Sequence, residues 1–187
     1  MLPADKVTGR TLFIVGTSHG YQLQIPRWPT ERGALEFQQA ILAVCKEKAI
    51  AGVAEEMSDY ALAVRNAVET AGRYAATALN LPHRMCDLDA EERRALHIED
   101  PNTIQANAFI GDVPREEWDQ LVHDRNYEPR EMIWLERVLA FDRWPCLFIC
   151  GSHHVDSFAQ KLRAAGVLVD IVADDWEPAD PSARVVD

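Results

Sequence analysis

His19 and His154 each close a segment built the same way. Leu12-Phe-Ile-Val-Gly-Thr-Ser-His19 and Leu147-Phe-Ile-Cys-Gly-Ser-His-His154 share Leu, Phe, Ile, Gly and the final His at matched positions, with Thr17 facing Ser152. Together they form a strand–Gly-x-x-His pseudo-repeat. Neutral imidazole ligates transition metals, and near neutral pH it also moves protons. Ligands of open α/β sheets collect beyond the carboxyl ends of the strands, where Gly lets the backbone turn sharply or approach a ligand. Two such segments on parallel strands are expected to aim two imidazoles into one crevice. His153 competes with His154 for this place; neighbours on an extended chain point oppositely, and the repeat alignment selects His154. A strand-end His can equally be a loop hydrogen-bonder. That is the expectation for His83, His97 and His123, which have no matched context and are read as surface or structural.

Several charged residues could complete such a centre. Glu55 and Glu56 follow a second apolar run, Ile50–Ala54, and should also lie at a carboxyl end, where a carboxylate can ligate a metal or act as general base. At least one of the two is expected to be a solvated turn residue. Arg130 and Glu131 open a helix just before the second His strand. Arg130 could hold an anionic group or carboxylate bidentately, or the two could form a surface pair. Asp87 and Asp89 flank a short third strand, and Asp89 suits a helix cap better than a site. Neither Ser18 nor Ser152 is marked as a nucleophile. The chain lacks H-E-x-x-H, a Walker loop, G-x-G-x-x-G and G-x-S-x-G.

The elements that must position these groups alternate. Strands are expected at 11–15, 50–54, 83–87, 146–150 and 167–172. Between them, helices are expected at 35–48, 58–79 (capped by Ser58, with Ala61, Val64, Val68, Ala71 and Ala75 as its stripe), 89–96, 115–124, 130–141 and 156–165. Residues 17–33, with Pro26 and Pro29, read as a loop, 98–112 as irregular, and the acidic tail 174–187 as loosely ordered. The alternation predicts one α/β domain over 1–187, with a parallel or mixed sheet flanked by helices.

Composition narrows the partners. The 187 residues carry a formal charge of −11 with no basic cluster, which disfavours nucleic acid. No apolar run approaches the ~18 residues of a membrane span, and Met1-Leu-Pro-Ala-Asp-Lys has no signal h-region. A cytoplasmic protein without membrane association is expected. Cys45, Cys86, Cys146 and Cys150 form no C-x-x-C pair and read as reduced core thiols.

Gly16-Thr-Ser-His19, Gly151-Ser-His-His154, the strand-end Glu of Val53-Ala-Glu-Glu56-Met and the Arg130-Glu131 pair together resemble the TraB/PrgY–Tiki superfamily, with ChaN-like and erythromycin-esterase-like proteins as more distant relatives. The likeness covers about 11–60 and 128–173; residues 80–127 have no counterpart. The family's glutamate is often followed four residues later by Arg, where Tyr60 stands here. The resemblance implies metal-dependent hydrolysis of a peptide, amide or ester bond, although some members are regulatory factors. On this reading His19, His154 and Glu56 hold a divalent ion (Zn, Mn or Co), Arg130 stabilises an oxyanion or orients a carboxylate, and Glu55 or Glu131 supplies further acid–base function. No organic cofactor is expected, and the partner is a small-molecule or peptide substrate. The alternatives are a non-catalytic small-ligand sensor using the same pocket, and a metal-free His/Glu hydrolase.

Overall fold

The apolar runs become adjacent buried strands because both of their faces are covered. The computed structural model describes residues 9–25, 31–180 and 182. The chain runs β1 (Thr11–Thr17), α1 (His19–Gln22), β2 (Leu23–Gln24), α2 (Glu31–Glu47), β3 (Gly52–Glu55), α3 (Asp59–Val64), β4 (Glu69–Thr70), α4 (Ala71–Leu79) and β5 (His83–Met85). It continues through α5 (Ala90–Ala95), α6 (Pro101–Ile110), α7 (Trp118–Val122), α8 (Glu128–Phe141), β6 (Cys146–Gly151), α9 (Val155–Ala164) and β7 (Leu168–Trp176). The main sheet has the order β5-β3-β6-β1-β7, and every pairing in it is parallel. The expected α/β architecture is therefore present, in its all-parallel form.

Trp134, Val138, Phe158 and Leu162 from α8 and α9 pack on one face against Leu12, Ile14, Phe148 and Cys150. Phe37, Ile41, Ala71 and Ala75 from α2 and α4 pack on the other against Val15, Val53, Leu147 and Ile149. Burial on both faces is what continuous rather than alternating apolar strands require. All four cysteines are buried and unpaired; burial raises the Cys45 thiol to about 11 and the Cys86 thiol to about 12, which keeps them protonated and unreactive.

The pseudo-repeat is not aligned in the sheet as it is in the sequence. Phe13 lies beside Leu147 and Gly16 beside Cys150, a stagger of one residue. Because side chains alternate, that stagger sends aligned positions to opposite faces: Leu12 joins the α8–α9 core while Leu147 joins the α2–α4 core.

Other expectations need correction. The long helix over 58–79 is broken into α3, β4 and α4, with Asn66 at φ 50° and Val64 and Val68 exposed. Its periodicity was carried by alanines, which supply little burial to hold such a stripe. Residues 98–112 contain α6, opened by the Asp100 cap and Pro101 at the first turn, a start signal that Pro favours. Within 17–33 lie α1, β2 and the start of α2, while Pro26 and Pro29 fall outside the described residues. Asp174 to Trp176 belong to β7, anchored where Trp176 meets the Tyr21 and Phe37 rings at 5.6 and 4.8 Å; residues 181 and 183–187 of the expected loose tail lie outside the described residues.

Candidate active site

Three neighbouring strands, β3, β6 and β1, deliver Glu56, His154 and His19 to the carboxyl edge of the sheet. β1 ends at Thr17, and Ser18 caps the short α1, where His19 is the first residue. A Cβ at Gly16 would collide with the Asp174 carbonyl and the Val155 side chain. β6 ends at Gly151 and runs into a tight 3-10 turn over Ser152–His154. His153 is exposed and His154 buried. His154 is the one that approaches Glu56, while both line the larger cavity; in a three-residue turn, neighbours are about 120° apart rather than opposed.

The two imidazoles share one oxygen. His19 Nε2 stands 3.7 Å from Glu56 Oε1, and His154 Nε2 stands 3.5 Å from the same atom. A Cβ at Gly151 would come within 3.3 Å of His19 Nε2 and 3.4 Å of Glu56 Oε2. The absence of a side chain there is what lets the groups meet. Glu56 is fixed by Arg130 Nη2, which donates to Oε1 at 2.5 Å, and by the Gly151 N–H, which donates to Oε2 at 2.8 Å. Burial acts to raise the Glu56 pKa, but the His154, His19 and Arg130 charges outweigh it, so it lies below the ordinary value.

Behind His154 and Arg130 stand buried supports. His154 Nδ1 pairs with Glu131 Oε1 at 2.7 Å. Glu131 also accepts from Ser157 Oγ at 2.7 Å and Lys161 Nζ at 2.9 Å. Burial pushes the Glu131 pKa up; hydrogen bonds from His154, Lys161 and Ser157 more than offset it and hold it low. The Glu131 carboxylate pairs with Nδ1, which leaves Nε2 directed toward Glu56. The Tyr127 and Trp134 rings meet the imidazole edge-on at 4.5 and 4.8 Å and fix its plane. Arg130 reaches Asp87 through Nε and Nη2, both at 3.0 Å, and Asn126 Oδ1 through Nη1 at 3.2 Å. Asp87 also accepts from Trp134 Nε1 at 3.1 Å and Arg93 Nη2 at 2.5 Å. Burial raises the Asp87 pKa less than Arg130 and Arg93 lower it. Against its own burial, Arg130 is held protonated by Glu56 and Asp87.

Of the expected site residues, His19, His154, Glu56 and Arg130 are brought together. Glu131 supports His154 from behind. Glu55 does not reach the centre: it is fully buried with Thr70 and with His83 Nε2 at 2.6 Å. It is therefore neither the solvated residue of the pair nor a spare base, since alternation at the end of β3 turns it to the α4 side. His83 is structural, as expected. Asp87, Asn126, Tyr127, Trp134, Ser157 and Lys161 were not singled out as parts of the centre. Asn126, Arg130 and Trp134 recur at i, i+4 and i+8, and Ser157 and Lys161 at i and i+4, a spacing that could have revealed shared helix faces.

Two cavities meet at the centre. The larger, about 460 Å³, is lined by His19, Tyr21, Tyr127, Arg130, His154, Asp175 and Glu177 among others. The smaller, about 220 Å³, is lined by His19, Leu23, Glu56, Met57, Arg65 and Arg130 among others. A separate opening of about 500 Å³ around Ser58, Tyr60 and Glu91 reaches only Asp87 of these groups and holds no imidazole.

No protein-family model, curated protein or solved structure matches the chain.

The donor set can be tested against a metal directly. Two His nitrogens and one Glu oxygen form the ligand composition of three-ligand catalytic zinc sites. Their separations of 3.5 and 3.7 Å are close to the ~3.4 Å between two ligands each about 2.1 Å from a tetrahedral ion. His154 carries the outer carboxylate that metal-bound histidines usually have, whereas His19 Nδ1 is buried without a partner. Among the described residues no group of three or more His, Cys, Asp or Glu side chains is arranged so that it could hold a metal ion. Glu56 Oε1 would have to be shared with Arg130, which the lone pairs of a carboxylate oxygen permit. The donor types and the two separations to Glu56 suit an ion.

Proposed function

We propose that this pocket is the centre of a metal-dependent hydrolase acting on a peptide, amide or ester bond, with His19, His154 and Glu56 holding a divalent ion such as Zn, Mn or Co. The observation that carries the reading is the convergence of both Nε2 atoms on Glu56 Oε1, with His154 fixed from behind by Glu131. When bound, the ion would polarise the scissile carbonyl and acidify a water. The chain's own groups have separate tasks. Glu131 sets the His154 tautomer and aims Nε2 into the cavity. Arg130 holds Glu56 in place and brings a permanent positive charge to the wall, where an oxyanion would develop. Tyr127 and Trp134 keep water from the buried side of His154. With Glu55 turned away and Glu131 behind His154, the carboxylates on the cavity walls besides Glu56 are Asp175 and Glu177 in the larger and Asp87 in the smaller.

A metal-free version is favoured by one contact, the 2.5 Å Arg130–Glu56 pair that already occupies the shared oxygen. In that version His154, oriented by Glu131, is the general base. The resemblance to the TraB/PrgY–Tiki superfamily supports the metal-dependent form. Among the described residues no helix is long and apolar enough to cross a membrane. A cytoplasmic location is part of the proposal, supported by four unpaired buried thiols.

Calorimetric titration of Zn²⁺, Mn²⁺ and Co²⁺ into protein purified without a His tag tests the proposal. Binding should weaken in His154→Ala and His19→Ala by more than the ~10–100-fold that loss of an outer-shell partner costs. If the wild type binds no ion more tightly than His154→Ala does, the metal-dependent form is overturned and the metal-free base remains.

A further inference from the structure

The two cavities that meet at His19 and Arg130 differ in sign. In the smaller one, Arg65, Arg93 and Arg130 face only two carboxylates, Glu56 and Asp87. In the larger, Asp175 and Glu177 face Arg130 alone among the permanently charged residues. Arg93 is bound to Asp87 and Arg130 to both acids. Arg65 differs: it closes α3 as its C-cap, its side chain is exposed, and among the described residues its guanidinium takes part in no ion pair or side-chain hydrogen bond. Leu23, Met57 and Ala61, which pack together, supply apolar wall to the same cavity. At about 220 Å³ the cavity is smaller than the ~300–1,000 Å³ of sites that enclose a whole ligand, so it suits one limb of a substrate.

We propose that this smaller cavity takes an apolar side chain together with the α-carboxylate beside it, and that the substrates are N-acylated apolar amino acids, including the last residue of a short peptide. The apolar side chain lies against Leu23, Met57 and Ala61, and the carboxylate pairs with Arg65. Asp175 repels that carboxylate from the larger cavity, so the acyl half enters there and the amide bond crosses the centre. Water adds to the acyl carbon, the C–N bond breaks, and the amine nitrogen leaves with the proton. The assignment rests on the hydrolase reading, and its test is independent of the ion.

N-acetyl-leucine and N-acetyl-leucinamide differ only in the terminal charge. Each is titrated into chelator-treated full-length protein and followed by amide chemical shifts in NMR. The wild type should bind the carboxylate about tenfold more tightly than the carboxamide, the order of one charge-assisted pair. Arg65→Gln should bring that ratio close to one, with shift changes centred on Leu23, Met57 and Ala61. Equal binding by the wild type, a preference that survives Arg65→Gln, or no binding of either compound overturns the assignment. Ion binding without the carboxylate preference removes this inference alone. The preference without ion binding leaves it standing and removes only the metal-dependent form.

Discussion

The two Gly-x-x-His segments are near twins as strings and unlike as environments. His154 is 4% exposed, clamped between two rings and bonded to an ionised carboxylate, whereas His19 is 40% exposed and its Nδ1 has no partner. The difference arises beyond the shared residues. β6 feeds a 3-10 turn packed under α8, while β1 feeds a four-residue helix beside the open cavity. One imidazole is thus held in advance and the other is left accessible, so equal sequence motifs carry unequal structural weight.

Five substitutions would break or sharpen that contrast. The largest effect is expected at the hub between them. Arg130→Met strands the buried Glu56 and Asp87 carboxylates and should cost about 3–5 kcal/mol in urea unfolding. It should also change the acid limb of stability. Glu56 and Asp87, the two acids Arg130 contacts, have depressed folded pKa values, so their contribution is fully present above the unfolded values of roughly 3.9–4.3 and is lost as pH falls through the folded ones. With Arg130 gone, the loss of stability between about pH 5 and 2 should become shallower; an unchanged slope would show that the hub does not set those pKa values. His154→Ala leaves Glu131 without one donor and should cost about 1–3 kcal/mol. Gly151→Ala keeps a backbone that any residue adopts, with φ −61°, yet presses on His19 and Glu56. A cost of about 1 kcal/mol with a weakened ion site is expected, and unaltered ion affinity would show that the close approach is not needed. Smallest, His19→Ala and His153→Ala should each change stability by less than about 0.5 kcal/mol, and of these two only His19→Ala should impair ion binding.

Much of the frame was legible because β1 and β6 contain continuous apolar runs closed by Gly, and because Asp89 and Glu92 form the capping box their spacing suggested. The paired histidines and Arg130 were legible through the repeat and through their place next to strands. What could not be read is of a different kind. The one-residue stagger of β1 against β6 depends on the packing of both sheet faces, which identical apolar strings do not encode. The π-turn over His123–Tyr127, which brings Tyr127 against His154, has no local signature. Glu55 and Glu56 are chemically equal neighbours, and only the exit angle of β3 decides which one meets the imidazoles. Asp87 became part of the centre through long-range pairing with Arg130, 43 residues away.

The central claim is that His19 and His154 serve one site, and anomalous diffraction from crystals soaked in Mn²⁺ or Co²⁺ tests it most directly. The account predicts a single strong peak within about 2.0–2.3 Å of both Nε2 atoms, beside Glu56, and its disappearance in crystals of His154→Ala. A peak on His153, His97 or His123, or none near the paired imidazoles, would contradict it.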